Sequence, residues 1–242
     1  MLGAGGAGWR DRTLAALERQ SRPPDGVVCV ERPAGSREAR AGDFAWLWLL
    51  DEGTAPEPDA LERLLDALDD LGPLPMPVLL ASQVVGPDGS VDRRSLPVPA
   101  VARELVVGAV GRRLLAIRAA RRGSILVARG GIERCGLPRP DRPGDDLVWT
   151  ARLLRRDPGL LVPASLVRRG SVDRAAALVS PAGWARLLFG GALRPGEKPW
   201  FAFRLAEEAL AEIRGGASRR AGAAARRAGP AQSRRRSRRS GA

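Results

Sequence analysis

Apolar positions along the chain change spacing in a regular way, and the changes predict alternating helices and strands. Residues 1–11, MLGAGGAGWRD, carry too much glycine for a regular element. Residues 12–20 predict a helix, with Leu14 and Leu17 three apart and Asp11 near its start. After a turn at SRPPDG, residues 27–30 (VVCV) predict a short buried strand ending at Glu31, followed by a polar loop over 32–43. Residues 44–50, FAWLWLL, are continuously apolar and stop at Asp51-Glu52-Gly53. Such a run predicts a strand at the centre of a sheet covered on both faces.

Pro56 and Pro58 open a predicted helix that reaches Leu71, with Leu61, Leu64, Leu65 and Leu68 on one face and Glu62, Arg63, Asp66 and Asp69 opposite. A strand over 78–85, a turn at GPDGS (86–90) and a helix around 100–120 follow. Residues 124–128 (SILVA) predict another strand, then a short helix to Cys135 and a proline-rich loop over 138–144. A helix over 145–156 and a strand over 160–167 complete the alternation, which argues for an α/β domain. Residues 181–214 read as helical, with an amphipathic segment over 200–213. From Gly215 onward only Arg, Ala, Gly, Ser, Pro and Gln occur, which predicts a disordered tail.

Composition narrows the chemistry. At 242 residues, 44% hydrophobic and 28% charged, the chain is long enough to bury a sizeable core as one large domain or two small ones. No apolar run approaches the roughly 18 residues of a membrane span, and no secretory signal pattern is visible. Cys29 and Cys135 are far apart with no C-x-x-C, which excludes a disulfide scaffold or a zinc-finger framework; both are expected to be buried and inert. Histidine is absent, so Ser-His-Asp hydrolysis, Cys-His proteolysis and HExxH metalloprotease chemistry are excluded together, each needing an imidazole. The formal net charge is +13, but nine arginines and no acid fall in residues 215–242, leaving +4 for residues 1–214. Basicity is therefore mainly a property of the tail. Such a segment attracts polyanions, either nucleic acid or an anionic membrane surface, near which each basic residue contributes about 1 kcal/mol before screening.

Three acidic or glycine-rich signals bear on function. Gly3-Ala4-Gly5-Gly6-Ala7-Gly8 imitates the G-x-G-x-x-G dinucleotide fingerprint, with Glu31 downstream, but that fingerprint needs a preceding strand and only Met1 and Leu2 precede it. Asp51 and Glu52 stand at the carboxyl end of an apolar strand just before a helix, where ligands bind in open α/β sheets. They can hold a divalent cation there or simply cap the neighbouring elements. Asp145 and Asp146 begin a helix, where they complement its dipole or supply a general base. Beside them, Trp149 is a candidate for stacking on a sugar, and Arg152 for pairing with Asp145 or a phosphate. Trp46 and Trp48 are expected to pack in the core.

In order and spacing, GAGWRDRTLAALERQSRPPDGVVCVE, WLWLLDEGTAPEPDALERLL, GSILVARGGIERCGLPRP, PGDDLVWTARLLR and GLLVPASLVRR resemble the family 2 glycosyltransferases. The resemblance implies a GT-A fold, a Rossmann-like mixed sheet flanked by helices, over residues 1–170, with a C-terminal helical extension over 171–214 and the basic tail over 215–242. It implies inverting transfer of a sugar from a nucleotide-sugar donor to a hydroxyl of a glycan or lipid-linked acceptor, as in the synthesis of cell-envelope polysaccharide. Asp146 falls on the family's catalytic base. Asp51 falls on the first aspartate of its DxD motif, which helps hold the nucleotide and its metal; Gly53 replaces the second, so Glu52 would substitute and act with Asp51 as a ligand of Mg2+ or Mn2+. Glu31, Asp51 and Glu52 would contact the donor, and Asp145, Trp149 and Arg152 the acceptor. Where many members have a late histidine, this chain has Arg168 or Arg169. The resemblance implies a cytoplasmic protein, peripheral at the inner membrane face, whose arginine-rich tail meets an anionic membrane surface rather than nucleic acid. The alternative from a different class is a glycosyltransferase-like binding module without donor chemistry.

Overall fold

The structure, a computed structural model, describes residues 6–29, 43–51, 53–92, 95–100, 113–138, 145–170, 181–203 and 206–207. Among these, a helix α1 (Gly6–Glu18) precedes strands β1 (Trp46–Leu50) and β2 (Thr54–Pro56) and helix α2 (Ala60–Asp69). Strands β3 (Leu79–Val85), β4 (Val98–Pro99), β5 (Leu115–Ala119) and β6 (Ser124–Ala128) follow. Helices α3 (Arg129–Cys135) and α4 (Asp145–Leu153), strand β7 (Gly159–Arg169) and helix α5 (Pro181–Phe189) complete this part. Residues 1–194 form one compact unit and 195–242 a second; the second contains a 3-10 turn at Pro195–Glu197 and a stacked Trp200–Phe203 pair with ring centroids 5.9 Å apart. No helix among the described residues is long and apolar enough to cross a membrane.

The fold is mixed α/β, with an open seven-stranded sheet flanked by helices and compatible with a Rossmann-like architecture. Strand order is β1-β6-β3-β7-β5-β4, with β2 pairing separately to β7. Among the described residues only β3 and β7 pair in parallel, and the other ladders are antiparallel. The apolar runs are continuous because both faces of the sheet are covered. Leu79, Ala81, Ile125, Val127 and Leu161 face a core shared with Ile132 of α3 and Trp149 and Leu153 of α4. Their neighbours Leu80, Leu126, Leu160 and Val162 face the other side, where Leu61, Leu64 and Ala67 of α2 pack. Inside the sheet, hydroxyls of Ser124, Ser82 and Ser165 link β6, β3 and β7 at 2.8 Å spacings, the indole N–H of Trp48 donates to Ser124, and Ser165 donates to the Ala60 carbonyl. The β3–β7 register shifts between Ser82 and Gln83, where β7 contains Pro163, which has no N–H to offer a ladder.

Several expectations need correcting. The strand expected at the centre, β1, lies at the end of the strand order, with β6 its only neighbour among the described residues. Its apolarity comes from coverage of both faces: Leu47 and Leu49 pack on one core, and Trp46 and Trp48 on the other. The helix expected around 100–120 ends in a strand instead, since Leu115, Ala116 and Ile117 pair with Leu161, Leu160 and Gly159; residues 101–112 lie outside the described residues. Residues 26–29 form no strand, and both Cys29 and Cys135 are exposed rather than buried. Helix α1 begins at Gly6, inside the segment judged too glycine-rich, and Gly8 lies within that helix. Docking holds α1: the Gln20 side chain donates to the Ala16 and Glu57 carbonyls and accepts the Leu61 N–H at the start of α2.

Candidate functional site

Strands β1, β3 and β7 run in one direction and β6 against them, so Asp51, Arg169 and the loop before β6 meet at one edge of the sheet. Asp51 directly follows β1, and its N–H faces the Gly123 carbonyl at 3.4 Å. Its carbonyl then accepts from Thr54 Oγ1 (2.6 Å) and Thr54 N–H (3.2 Å), closing a turn in which Gly53 has φ +84°. Gly53 thus stands at a left-handed position that disfavours a side chain, and its carbonyl accepts from Gly170 N–H at 2.9 Å. The turn geometry explains a glycine where the resemblance leads one to look for a second carboxylate.

Two guanidinium groups converge on Asp51. Arg122 Nε lies 3.6 Å from Oδ1 and Arg169 Nη2 3.5 Å from Oδ2. Arg169 also donates to Ser95 Oγ (2.7 Å) and lies 3.5 Å from Asp92, to which Ser95 donates at 2.6 Å. Alternation along β7 turns Arg168 to the other side, where it pairs with Glu57. Asp146, in the first turn of α4, accepts from Leu147 N–H (2.9 Å) and faces the Arg122 N–H at 3.4 Å. Burial raises the Asp51 pKa above its ordinary 3.8; Arg122 opposes this, the Asp146 charge adds to it, and Arg169 opposes it. Asp51 and Asp146, almost a hundred positions apart in sequence, therefore belong to one electrostatic cluster.

That raised pKa carries a sign. A folded-state value above the unfolded one contributes stability that is complete below about pH 3.8 and is lost as pH rises through the folded value. Denaturant titrations of the wild type and Asp51→Asn should show the wild type gaining on the variant as pH falls from about 7 toward 4. A difference that is flat in pH, or slopes the other way, would contradict the burial of this carboxylate.

Thr150, which sequence reasoning passed over, ties α4 to the loop carrying Arg122. Its hydroxyl accepts the Ala120 N–H (3.0 Å) and lies within hydrogen-bond reach of the Ala120 carbonyl (2.8 Å) and the Asp146 carbonyl (2.9 Å). The side chain is fully buried. Thr150→Val keeps the shape but orphans a buried N–H, so a loss of about 1–3 kcal/mol is expected, with Thr150→Ser recovering most of it. Thermal or chemical denaturation of the pair checks this.

The remaining expected residues divide. Trp149 is 7% exposed, packs in the core and donates its indole N–H to the Gly136 carbonyl at 2.9 Å, so it offers no face for stacking on a sugar. Asp145 pairs with Arg186 of α5 at 2.8 Å rather than with Arg152, which sits on the exposed side of α4. Glu31 and Glu52 lie outside the described residues. Among the described residues no group of three or more acidic, cysteine or histidine side chains is placed to hold a metal ion. The carboxylate that the resemblance assigns to a metal already faces a cation on each oxygen. Of the two expected ligands only Asp51 is among the described residues, and its paired oxygens are a poor fit to Mg2+ or Mn2+, which usually take one or two carboxylates plus phosphate oxygens. Compared with known proteins, the chain matches no family model and no curated protein sequence.

Proposed function

We propose that the protein transfers a sugar from a nucleotide-sugar donor to a hydroxyl of a glycan or glycolipid acceptor, with inversion and with Asp146 as the general base. The observation that carries this reading is the convergence of Asp51 and Asp146 with Arg122 and Arg169 at the carboxyl edge of the sheet. Ligands of open α/β sheets bind at that edge. The segments supporting the resemblance supply Asp51, Asp146 and Arg169, and Arg122 directly precedes one of them.

In this reading the acceptor hydroxyl gives its proton to the Asp146 carboxylate as its oxygen bonds to the anomeric carbon. The bond from that carbon to the donor phosphate breaks, and the diphosphate leaves with the electron pair. The Leu147 and Arg122 backbone N–H groups orient the Asp146 carboxylate, one at each oxygen. The arginine-rich segment 215–242, outside the described residues, would hold the protein at an anionic membrane surface near lipid-linked acceptors.

Gly53 and the two guanidiniums on Asp51 favour one competitor, a glycosyltransferase-like module that binds a glycan or partner without donor chemistry. Saturation-transfer NMR against a panel of nucleotide sugars separates the two. An enzyme should engage at least one of them and release its nucleoside diphosphate when acceptor is added. If no nucleotide sugar binds, sugar transfer is excluded and the module remains.

A further inference from the structure

Resting on the reading above, we propose that Arg122 and Arg169 hold the donor diphosphate and offset its charge directly, in place of a divalent metal ion. Four observations converge on this. Each arginine side chain is partly exposed, roughly a quarter of Arg122 and a fifth of Arg169 being open to solvent. Their approaches to Asp51, 3.6 and 3.5 Å, are longer than the roughly 2.7–2.9 Å of a strong charge-assisted hydrogen bond, so Asp51 does not saturate their donors. Arg122 Nε is buried with no hydrogen-bond acceptor, a state that an arriving oxyanion would relieve. Finally, a Cβ at Gly123 would stand 3.5 Å from Arg169 Nη2 and 3.0 Å from Val84 Cγ2, so glycine there keeps the space beside the guanidinium open.

The chemistry of the groups fits. A guanidinium is planar, permanently charged and able to give two parallel hydrogen bonds to phosphate oxygens. Arg169 is braced by Ser95 and Asp92, which hold its Nη1 while Nη2 faces Asp51. Asp51 then acts as an internal counter-ion, sharing the two arginines that the diphosphate claims on binding. A metal site would use Asp51 in the opposite sense, as an indispensable ligand. The two arrangements therefore predict opposite signs for one substitution.

Titration calorimetry of the full chain with inorganic pyrophosphate, in buffer containing EDTA and physiological salt, tests the assignment. The arginine-rich tail gives a background common to all variants, so differences between variants are read. Wild type should bind without metal, and Arg122→Gln and Arg169→Gln should each weaken binding roughly tenfold or more. Asp51→Asn should tighten it, because a competing negative charge is removed. Binding that appears only when Mn2+ replaces EDTA, or that Asp51→Asn abolishes, overturns the arginine assignment and leaves sugar transfer standing. Arginine variants indistinguishable from wild type overturn it as well. No binding above the tail background in either buffer overturns both the assignment and the donor site. Should a glutamine variant fail to fold, as judged by its melting curve, Arg122→Lys and Arg169→Lys retain the charge, and the sign of the Asp51→Asn effect decides.

Discussion

Replacing Asp146 with Asn should lower turnover of a matched donor–acceptor pair by about 10²–10⁴-fold, the usual worth of a general base. The substitution preserves the side chain's shape. The amide oxygen can still accept from the Leu147 or Arg122 N–H, the two backbone donors that orient the carboxylate. It removes the ability to take a proton from the acceptor hydroxyl and leaves the other of those two N–H groups facing the amide nitrogen. Donor affinity should therefore stay within a few-fold of wild type, so the effect appears in kcat rather than in donor Kd. The Thr150→Val and Asp146→Asn effects should also separate. The first is mainly a stability loss, and the second mainly a loss of turnover. Unchanged turnover in Asp146→Asn would remove this residue from the mechanism.

Leu79→Ala should cost about 2–5 kcal/mol of folding stability. Leu79 is fully buried in β3, the strand flanked by β6 on one side and β7 on the other. Its side chain contributes to the core that also holds Val127, Leu161, Trp149 and Leu153. Removing three carbons there forfeits their burial and leaves a cavity that neighbours on three elements cannot close together. For a unit of this size each kcal/mol lowers Tm by roughly 2–4 °C, so a fall of roughly 5–20 °C is expected in a calorimetric scan. Leu115→Ala provides the contrast. Leu115 is exposed in β5, and a surface change of this kind should stay within about 0.5 kcal/mol.

Elements whose signals are local were legible in the chain. The apolar run SILVA coincides with β6, and the leucine stripe at 61, 64, 65 and 68 lies within α2. The short helix ending at Cys135 and the acidic start of α4 also stand where the pattern puts them. In each case the information sits within a few residues: a period, a cap, a breaker. Residues 115–119 show the opposite case. LAIRA is as acceptable in a helix as in a strand, and its pairing with β7 is decided by residues more than forty positions away.

The site divides along the same line. The sequence by itself determined which acids stand at element ends: Asp51 after an apolar strand, and Asp145 and Asp146 at a helix start. It also excluded histidine chemistry outright. Only the tertiary structure decided that Asp51 and Asp146 share a cluster, that Arg122 and Arg169 complete it, and that Arg186 rather than Arg152 takes Asp145. It likewise turned Trp149 inward and left both cysteines exposed. Periodicity along a chain reports whether a position is buried, which is a local matter of solvent and spacing. Which side chains meet depends on strand order and direction, and those are settled by pairings between distant segments that no local period records.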